Sequence, residues 1–244
     1  KIYGYKSQST IYCQVVFTSI ISSNWQLNIQ LRMIRLYTTA ELQKSALIEL
    51  SKEQAHYLIN VMRRKDGDEI LVFNGKDGEF LAKIISSGKK HCSITLEKQT
   101  RQQEQQPDIW LCFAPVKNAP INNIVQKATE LGASLLQPVI TKHTIVNRVN
   151  IDRLGANAIE AAEQSGRITV PEIREPVALE KILSAWNENR KLIFCDKSGG
   201  GEPIITALSK LQKNSKYAIL IGPEGGFSQS EFAILRNKPY VIPV

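Results

Sequence analysis

Hydrophobic and polar positions follow two rhythms along this chain, one before residue 98 and one after 107. From Ser51 onward, Ala55, Leu58, Ile59 and Met62 recur at helical spacing. Ser51 and Gln54 have the spacing of a capping box, which predicts a helix start. His56, Asn60 and Arg63 form a second stripe about a quarter-turn away. Strand-like runs follow at Glu69–Phe73, Glu79–Ile85 and His91–Leu96. Turn chemistry separates them, in Asn74-Gly75-Lys76-Asp77-Gly78 and in Ser87-Gly88-Lys89-Lys90. Short strands with tight turns predict a small β-barrel-like domain.

The stretch from Lys98 to Pro107, KQTRQQEQQP, has almost no apolar residue and reads as a linker. Beyond it the pattern changes. Strands are predicted at Ile109–Ala114, Leu135–Ile140, Leu192–Cys195, Tyr217–Ile221 and Tyr240–Ile242. Helical faces lie between them: Ile121, Ile124, Val125, Ala128 and Leu131, with Gly132 suited to the helix end; Asp152 to Ser165, ending at Gly166; and Pro203 to Leu211. Pro243 disfavours a central position for the last strand. Strands alternating with helices predict a mainly parallel α/β sheet.

Composition adds a partner class. The chain of 244 residues is 43% hydrophobic and 22% charged, enough for a sizeable core. Its 31 Lys and Arg outweigh 23 Asp and Glu, a formal net charge of +8, which points to an anionic partner such as nucleic acid. Arg35, Arg63, Arg64 and Lys65 are the expected phosphate-facing patch. His56, by phase on the polar face, is open to a ligand, and Lys117 and Lys142 are candidates of the same kind. Cys13, Cys92, Cys112 and Cys195 have no C-x-x-C spacing and read as free thiols in a reducing cytosol. No zinc-type spacing occurs, so no metal is expected. The apolar stretch Ile11 to Ile21 is too short to span a bilayer. It faintly resembles a signal-peptide core, but Met33 opens a more regular sequence, and residues 1–32 read as an extension.

The most informative segment is Leu220-Ile221-Gly222-Pro223-Glu224-Gly225-Gly226-Phe227-Ser228, a buried strand running into a glycine-rich loop. Ser228 and Glu231 have capping-box spacing for a following helix. In parallel α/β sheets, ligands bind beyond the carboxyl ends of strands, and glycines let the backbone approach them closely. The loop is neither a G-x-G-x-x-G fingerprint nor a Walker A sequence, which turns the reading away from dinucleotides and triphosphates.

The run Ile221 to Gly226 resembles the cofactor loop of the ribosomal small subunit methyltransferase E (RsmE) family, within the SPOUT (trefoil-knot) superfamily. Other pieces match in order. Met33-Ile34-Arg35-Leu36-Tyr37 resembles the family's start, and His56-Tyr57-Leu58-Ile59-Asn60-Val61-Met62-Arg63 its first-helix motif. Lys127-Ala128-Thr129-Glu130-Leu131-Gly132 resembles its K-x-x-E-L-G helix end. Glu163-Gln164-Ser165-Gly166-Arg167, with Val170-Pro171-Glu172-Ile173, resembles its E-Q-x-G-R segment.

The resemblance implies a PUA-like RNA-binding domain over residues 33–103 and a knotted SPOUT methyltransferase domain over residues 104–244. It implies S-adenosylmethionine as donor, N3 of one uridine in 16S ribosomal RNA of the small subunit as acceptor, and a cytoplasmic homodimer at full length. Ile221, Gly222, Pro223, Glu224, Gly225 and Gly226, with Cys195, are the expected cofactor residues. Arg167 joins the expected RNA contacts. No catalytic base stands out; Glu163 and Glu224 are the candidates for that role, and Arg167 is a further catalytic candidate. Family members continue past the last strand into a segment resembling L-G-x-R-I-L-R-x-E-T-A, so the second domain is expected to be C-terminally incomplete. The alternatives are a non-catalytic RNA-binding protein of the same family and a SPOUT methyltransferase with another RNA target.

Overall fold

The computed structural model describes residues 33–87, 91–116, 119–146, 148–196, 199–211 and 215–244. The expectations for residues 1–32, Cys13 and Lys117 lie outside them. The described chain forms two compact units. One runs up to Gln105 and includes Ile159–Val170; the other holds Gln106–Ala158 and Pro171–Val244. The segment 159–170, read from sequence with the second domain, therefore belongs to the first unit.

The first unit is a five-stranded curled sheet. In chain order its strands are β1 (Arg35–Tyr37), β2 (Leu47–Glu49), β3 (Glu69–Phe73), β4 (Glu79–Ser87) and β5 (Cys92–Arg101). In space the order is β1-β3-β4-β5-β2, with β1 parallel to β3 and every other pair antiparallel. Alternate residues fill one core: Ile70 and Val72, Phe80, Ala82 and Ile84, and Cys92, Ile94 and Leu96, closed by Leu36, Ile48, Ala55 and Leu58. Phe73 points to the opposite face and packs with Ala162 and Ile168. Cover on both faces explains why Glu-Ile-Leu-Val-Phe reads as a continuous apolar run.

The expected linker begins too early. Strand β5 continues through Lys98 to Arg101, paired with β4. Its outer half is polar because few apolar neighbours face it, and backbone pairing with β4 holds it in place instead. Gly78 has φ +87, and a Cβ there would collide with the Arg101 carbonyl, so the β3–β4 turn and the end of β5 can close only over glycine.

Helix α1 (Lys52–His56) opens on Ser51 with a complete capping box, and a π-helical turn, Tyr57–Val61, follows it. The sequence pattern predicted an uninterrupted α-helix with Met62 on the buried face. Instead, Leu58 is fully buried and Met62 is 38% exposed.

The second unit carries the parallel sheet. Its elements are β6 (Ile109–Phe113), α2 (Ala119–Glu130), β7 (Leu135–Ile140), α3 (Ile151–Ser165), β8 (Glu172–Ile173), β9 (Val177–Ala178), α4 (Leu179–Ser184), β10 (Arg190–Phe194), α5 (Ile204–Ser209), β11 (Lys216–Ile221), α6 (Gln229–Arg236) and β12 (Val241–Pro243). The division between units falls within α3. Strand order is β12-β10-β11-β6-β7-β8, with β9 also on β7, and all pairs are parallel. The edge position of β12 suits Pro243. The buried Arg190 guanidinium lies 3.9 Å from the Trp110 ring centre. It also donates to the Asp108 carboxylate at 2.6 Å and to the Asp108 and Tyr217 carbonyls, tying the starts of β6, β10 and β11 together.

Candidate functional site

Crossovers between parallel strands bring the loops after β7, β10 and β11 to the same edge of the sheet. The loop after β11 is Gly222 to Ser228. Gly226 is in the left-handed region at φ +72, and its N–H donates to the Pro223 carbonyl at 2.9 Å. A Cβ on Gly222 would run into the Phe227 ring. A Cβ on Gly225 would lie 3.3 Å from the His143 Cβ. The glycines are thus demanded first by close packing of the loop on its own protein. Gly225 is packed against His143, and the positive φ of this loop belongs to Gly226.

His143 carried no signal in the sequence. It sits in the turn after β7, and its Nδ1 lies 3.0 Å from the Gly226 carbonyl oxygen. Glu231 fixes this arrangement. It completes the capping box of α6, accepting from the Ser228 N–H at 2.8 Å and from the Ser228 hydroxyl at 2.9 Å. Its other oxygen accepts from the Lys142 N–H at 2.8 Å. One buried carboxylate therefore joins the β7 turn to the glycine loop. The Ser228–Glu231 spacing announced the cap; the bond to Lys142, 89 residues away, left no mark in the pattern.

Cys195 is half-buried at the end of β10, its N–H donating to the Leu220 carbonyl at 3.2 Å. Next to it, Asp196 accepts from Arg236 of α6 at 2.6 Å. The loop after β10 also closes over β12. Asp196 N–H donates to the Val244 carbonyl, Val244 N–H donates to the Phe194 carbonyl, and a Cβ on Gly201 would lie 2.6 Å from the Val244 carbonyl carbon. Ile221 and Gly222 are half-exposed beside Cys195, and Glu224 and Gly225 are exposed, whereas Pro223 and Gly226 are buried. This edge offers backbone groups and an exposed carboxylate, a donor and acceptor set that fits a cationic, purine-bearing ligand such as S-adenosylmethionine. Cys112 takes no part. It is fully buried in β6, and burial pushes its thiol up to about 12.

The other expected residues lie in the first unit. Arg35 does not face phosphate. Its side chain is 8% exposed, and all five N–H donors have partners. Nε donates to Glu79 at 2.8 Å, and Nη2 pairs with the same carboxylate at 2.7 Å. Nη1 donates to the carbonyls of Ala162 and Glu163, and Nη2 to that of Arg167. The guanidinium caps the end of α3, where carbonyls lack helical partners. Among the described residues, Glu79 is the counter-charge the sequence reading missed.

Glu163 is half-buried, and its Oε1 accepts from the Tyr37 N–H at 2.9 Å. Burial raises its pKa, against the Tyr37 N–H and Arg35, which favour the charged form. It acts here as a clamp on β1. Arg167 is half-buried with Nη2 3.4 Å from Thr169 Oγ1, and burial lowers its pKa, as does Arg101. His56, Arg63 and Lys65 are exposed on and after the π-turn, and Arg64 is half-exposed, 3.9 Å from Asp68. His56, Arg63 and Lys65 are thus exposed, whereas Arg35 is buried inside the fold.

Among the described residues no cluster of three or more His, Cys, Asp or Glu is placed to hold a metal ion. None of their helices is long and apolar enough to cross a membrane.

Comparisons with known proteins agree with both units. A family described as RNA methyltransferase domain matches residues 103–242, and one described as RNA methyltransferase PUA domain matches residues 50–97. The chain is similar to Ribosomal RNA small subunit methyltransferase E of Rickettsia conorii, 34% identical over 204 residues and covering 83% of each. It is 26% identical over 212 residues to the protein of the same name from Bacillus subtilis, covering 82% of this chain and 83% of that one. Its fold matches a putative methyltransferase from Legionella pneumophila solved with bound cofactor SAM, with TM-score 0.76, 28% identity and coverage of 87% and 88%. It also matches Ribosomal RNA small subunit methyltransferase E from Neisseria gonorrhoeae bound to S-adenosyl methionine, with TM-score 0.75, 21% identity and the same coverage. With both family matches in place and a relative 34% identical over 83% of each chain, the chain belongs to the ribosomal RNA small subunit methyltransferase E family.

Proposed function

We propose that this protein is an S-adenosylmethionine-dependent methyltransferase acting on N3 of one uridine in 16S ribosomal RNA. Membership of the family supports ribosomal RNA as substrate. The observation that carries the reading at the level of residues is the glycine loop after β11, clamped by His143 and Glu231 at the carboxyl edge of a parallel sheet.

In this reading Ile221 to Gly226, Glu224 among them, and Cys195 would hold the cofactor, largely through backbone groups. When bound, S-adenosylmethionine supplies an electrophilic methyl group on an already activated leaving group. The protein's task is to exclude water, align N3 with that carbon and favour loss of the N3 proton. N3 lies on the pairing edge of uracil, so the target must be unpaired or flipped out. Arg63, Arg64, Lys65 and Arg167 hold phosphate and position the strand. Lys117 and His56 are proposed as further RNA contacts. The reading includes a cytoplasmic homodimer at full length; the thiols of Cys92 and Cys112 are in keeping with a reducing compartment.

The test is methyl transfer to small-subunit ribosomal RNA, followed by reverse transcription. An N3-methyl group blocks pairing and stops the transcriptase at a single uridine. No incorporation, or a modified nucleotide other than uridine, would overturn the assignment.

A further inference from the structure

In an unbroken α-helix from Ser51, Met62 lies seven residues after Ala55 and four after Leu58, on the buried stripe. The chain leaves that geometry at Tyr57. Met62 N–H donates to the Tyr57 carbonyl at 2.9 Å, five residues back, and Arg64 N–H donates to the Leu58 carbonyl at 2.9 Å. The wider turn delays the phase by one residue. Leu58 keeps its place in the core, while Tyr57, Val61 and Met62 are turned outward with exposures of 40%, 57% and 38%. Spacings of four and five residues put Val61 and Met62 on the same face as Tyr57, because five residues nearly complete the wider turn.

The departure is followed at once by a second. Arg63 adopts φ +54, a left-handed conformation that bulky L-residues rarely take. Two uncommon backbone states in succession hold three apolar side chains in water that an ordinary helix would partly hide. Such strain concentrates where function uses it, and π-turns frequently mark functional sites.

The charges beside this face set the kind of partner. Arg63 and Lys65 are exposed and make no ion pair with a described residue. His56 precedes the turn and bonds Asn60 at 3.0 Å. Acidic neighbours are held locally: Asp68 accepts from the Lys65 N–H at 3.0 Å and lies 3.9 Å from Arg64. An aromatic ring and two apolar side chains next to unpaired cations match a ligand with flat faces and a repeating negative charge.

We propose that the π-turn is a binding surface for unpaired RNA, on which one base stacks against Tyr57, over Val61 and Met62, while adjacent phosphates meet Arg63 and Lys65. A duplex hides its base faces, so this surface selects single-stranded or looped segments. The inference rests on the reading that RNA is the substrate, and adds how the first unit recognises it.

The test uses the whole chain and two probes: a single-stranded oligoribonucleotide of roughly twelve nucleotides and the same sequence as a duplex, titrated at several salt concentrations. Tyr57→Ala should weaken single-strand binding about tenfold, leave duplex binding unchanged and keep the salt slope. Tyr57→Phe should restore the parent affinity. Arg63→Ala with Lys65→Ala should instead flatten the slope by about 0.7 for each phosphate no longer neutralised. Equal loss on both probes, or no loss with Tyr57→Ala, overturns the proposal; the latter is the outcome if this face docks a protein. S-adenosylmethionine titration of each variant serves as the fold control. A parent that binds the single strand and fails to bind S-adenosylmethionine would defeat the methyltransferase reading, and the Tyr57 comparison would still decide this one.

Discussion

At the scale of single residues, Gly225 and His143 form one unit of meaning. Gly225→Val pushes a side chain against the His143 Cβ, 3.3 Å from where its own Cβ must sit. Overpacking of this kind costs about 1–3 kcal/mol. The expected result is at least a tenfold loss of S-adenosylmethionine affinity by calorimetry, partly recovered in the Gly225→Val, His143→Ala double variant. An unchanged single variant would place the cofactor elsewhere. Glu163 is tested by pH. Burial raises its folded-state pKa, so its contribution to stability is fully present below the unfolded value, roughly 4.3, and is lost as pH rises through the folded value. Glu163→Gln keeps an acceptor for the Tyr37 N–H without the charge. It should be more stable than the parent at pH 7 and lose that advantage in acid. Denaturation midpoints showing the opposite order at pH 7 would mean that Glu163 is used as a charge.

At the scale of elements, the Arg35–Glu79 pair joins β1, β4 and the end of α3. Arg35→Met leaves a buried carboxylate without its partner and should cost about 3–5 kcal/mol in urea unfolding, whereas Arg35→Met with Glu79→Met should recover much of it. A loss below about 0.5 kcal/mol would mean the pair is not structural. The π-turn behaves differently, because its cations lie in water. Replacing Arg63, Arg64 and Lys65 together with Ala should leave stability nearly unchanged and reduce the salt slope of RNA binding by about 2. An unchanged slope would remove the patch from the interface. Sequence legibility divides along the same line. Capping boxes at Ser51 and Ser228, the strand Glu69–Phe73 and the strand Leu135–Ile140 were readable, because each depends on residues close in the chain. Strand β2, the outer half of β5 and the π-turn were not, because each depends on what lies opposite.

At the scale of the whole molecule, a cofactor bound at the edge of the parallel sheet must stabilise the unit that carries it. S-adenosylmethionine at one hundred times its Kd should add about 2.7 kcal/mol, or roughly 2–4 °C of melting temperature for each kcal/mol. No shift in calorimetry would argue against the site. The net charge of +8 makes RNA association fall steeply with salt. The longer strands and helices, the change of pattern near residue 107 and the glycine loop were legible in the sequence itself, since hydrophobic period, turn residues and caps are local properties. The family resemblance rests on the same local runs. Tertiary structure decided which charges are used up and which remain. Arg35 and Arg63 are both arginines in a basic stretch of pattern, yet one has every donor satisfied inside the fold and the other stands in water. It also decided that His143 meets Gly226 and that residues 159–170 belong with the first sheet. These facts depend on hydrogen bonds between residues 83 and 128 positions apart. The net worth of such bonds depends on burial and on hydrogen-bond geometry, and neither exists until the chain has closed.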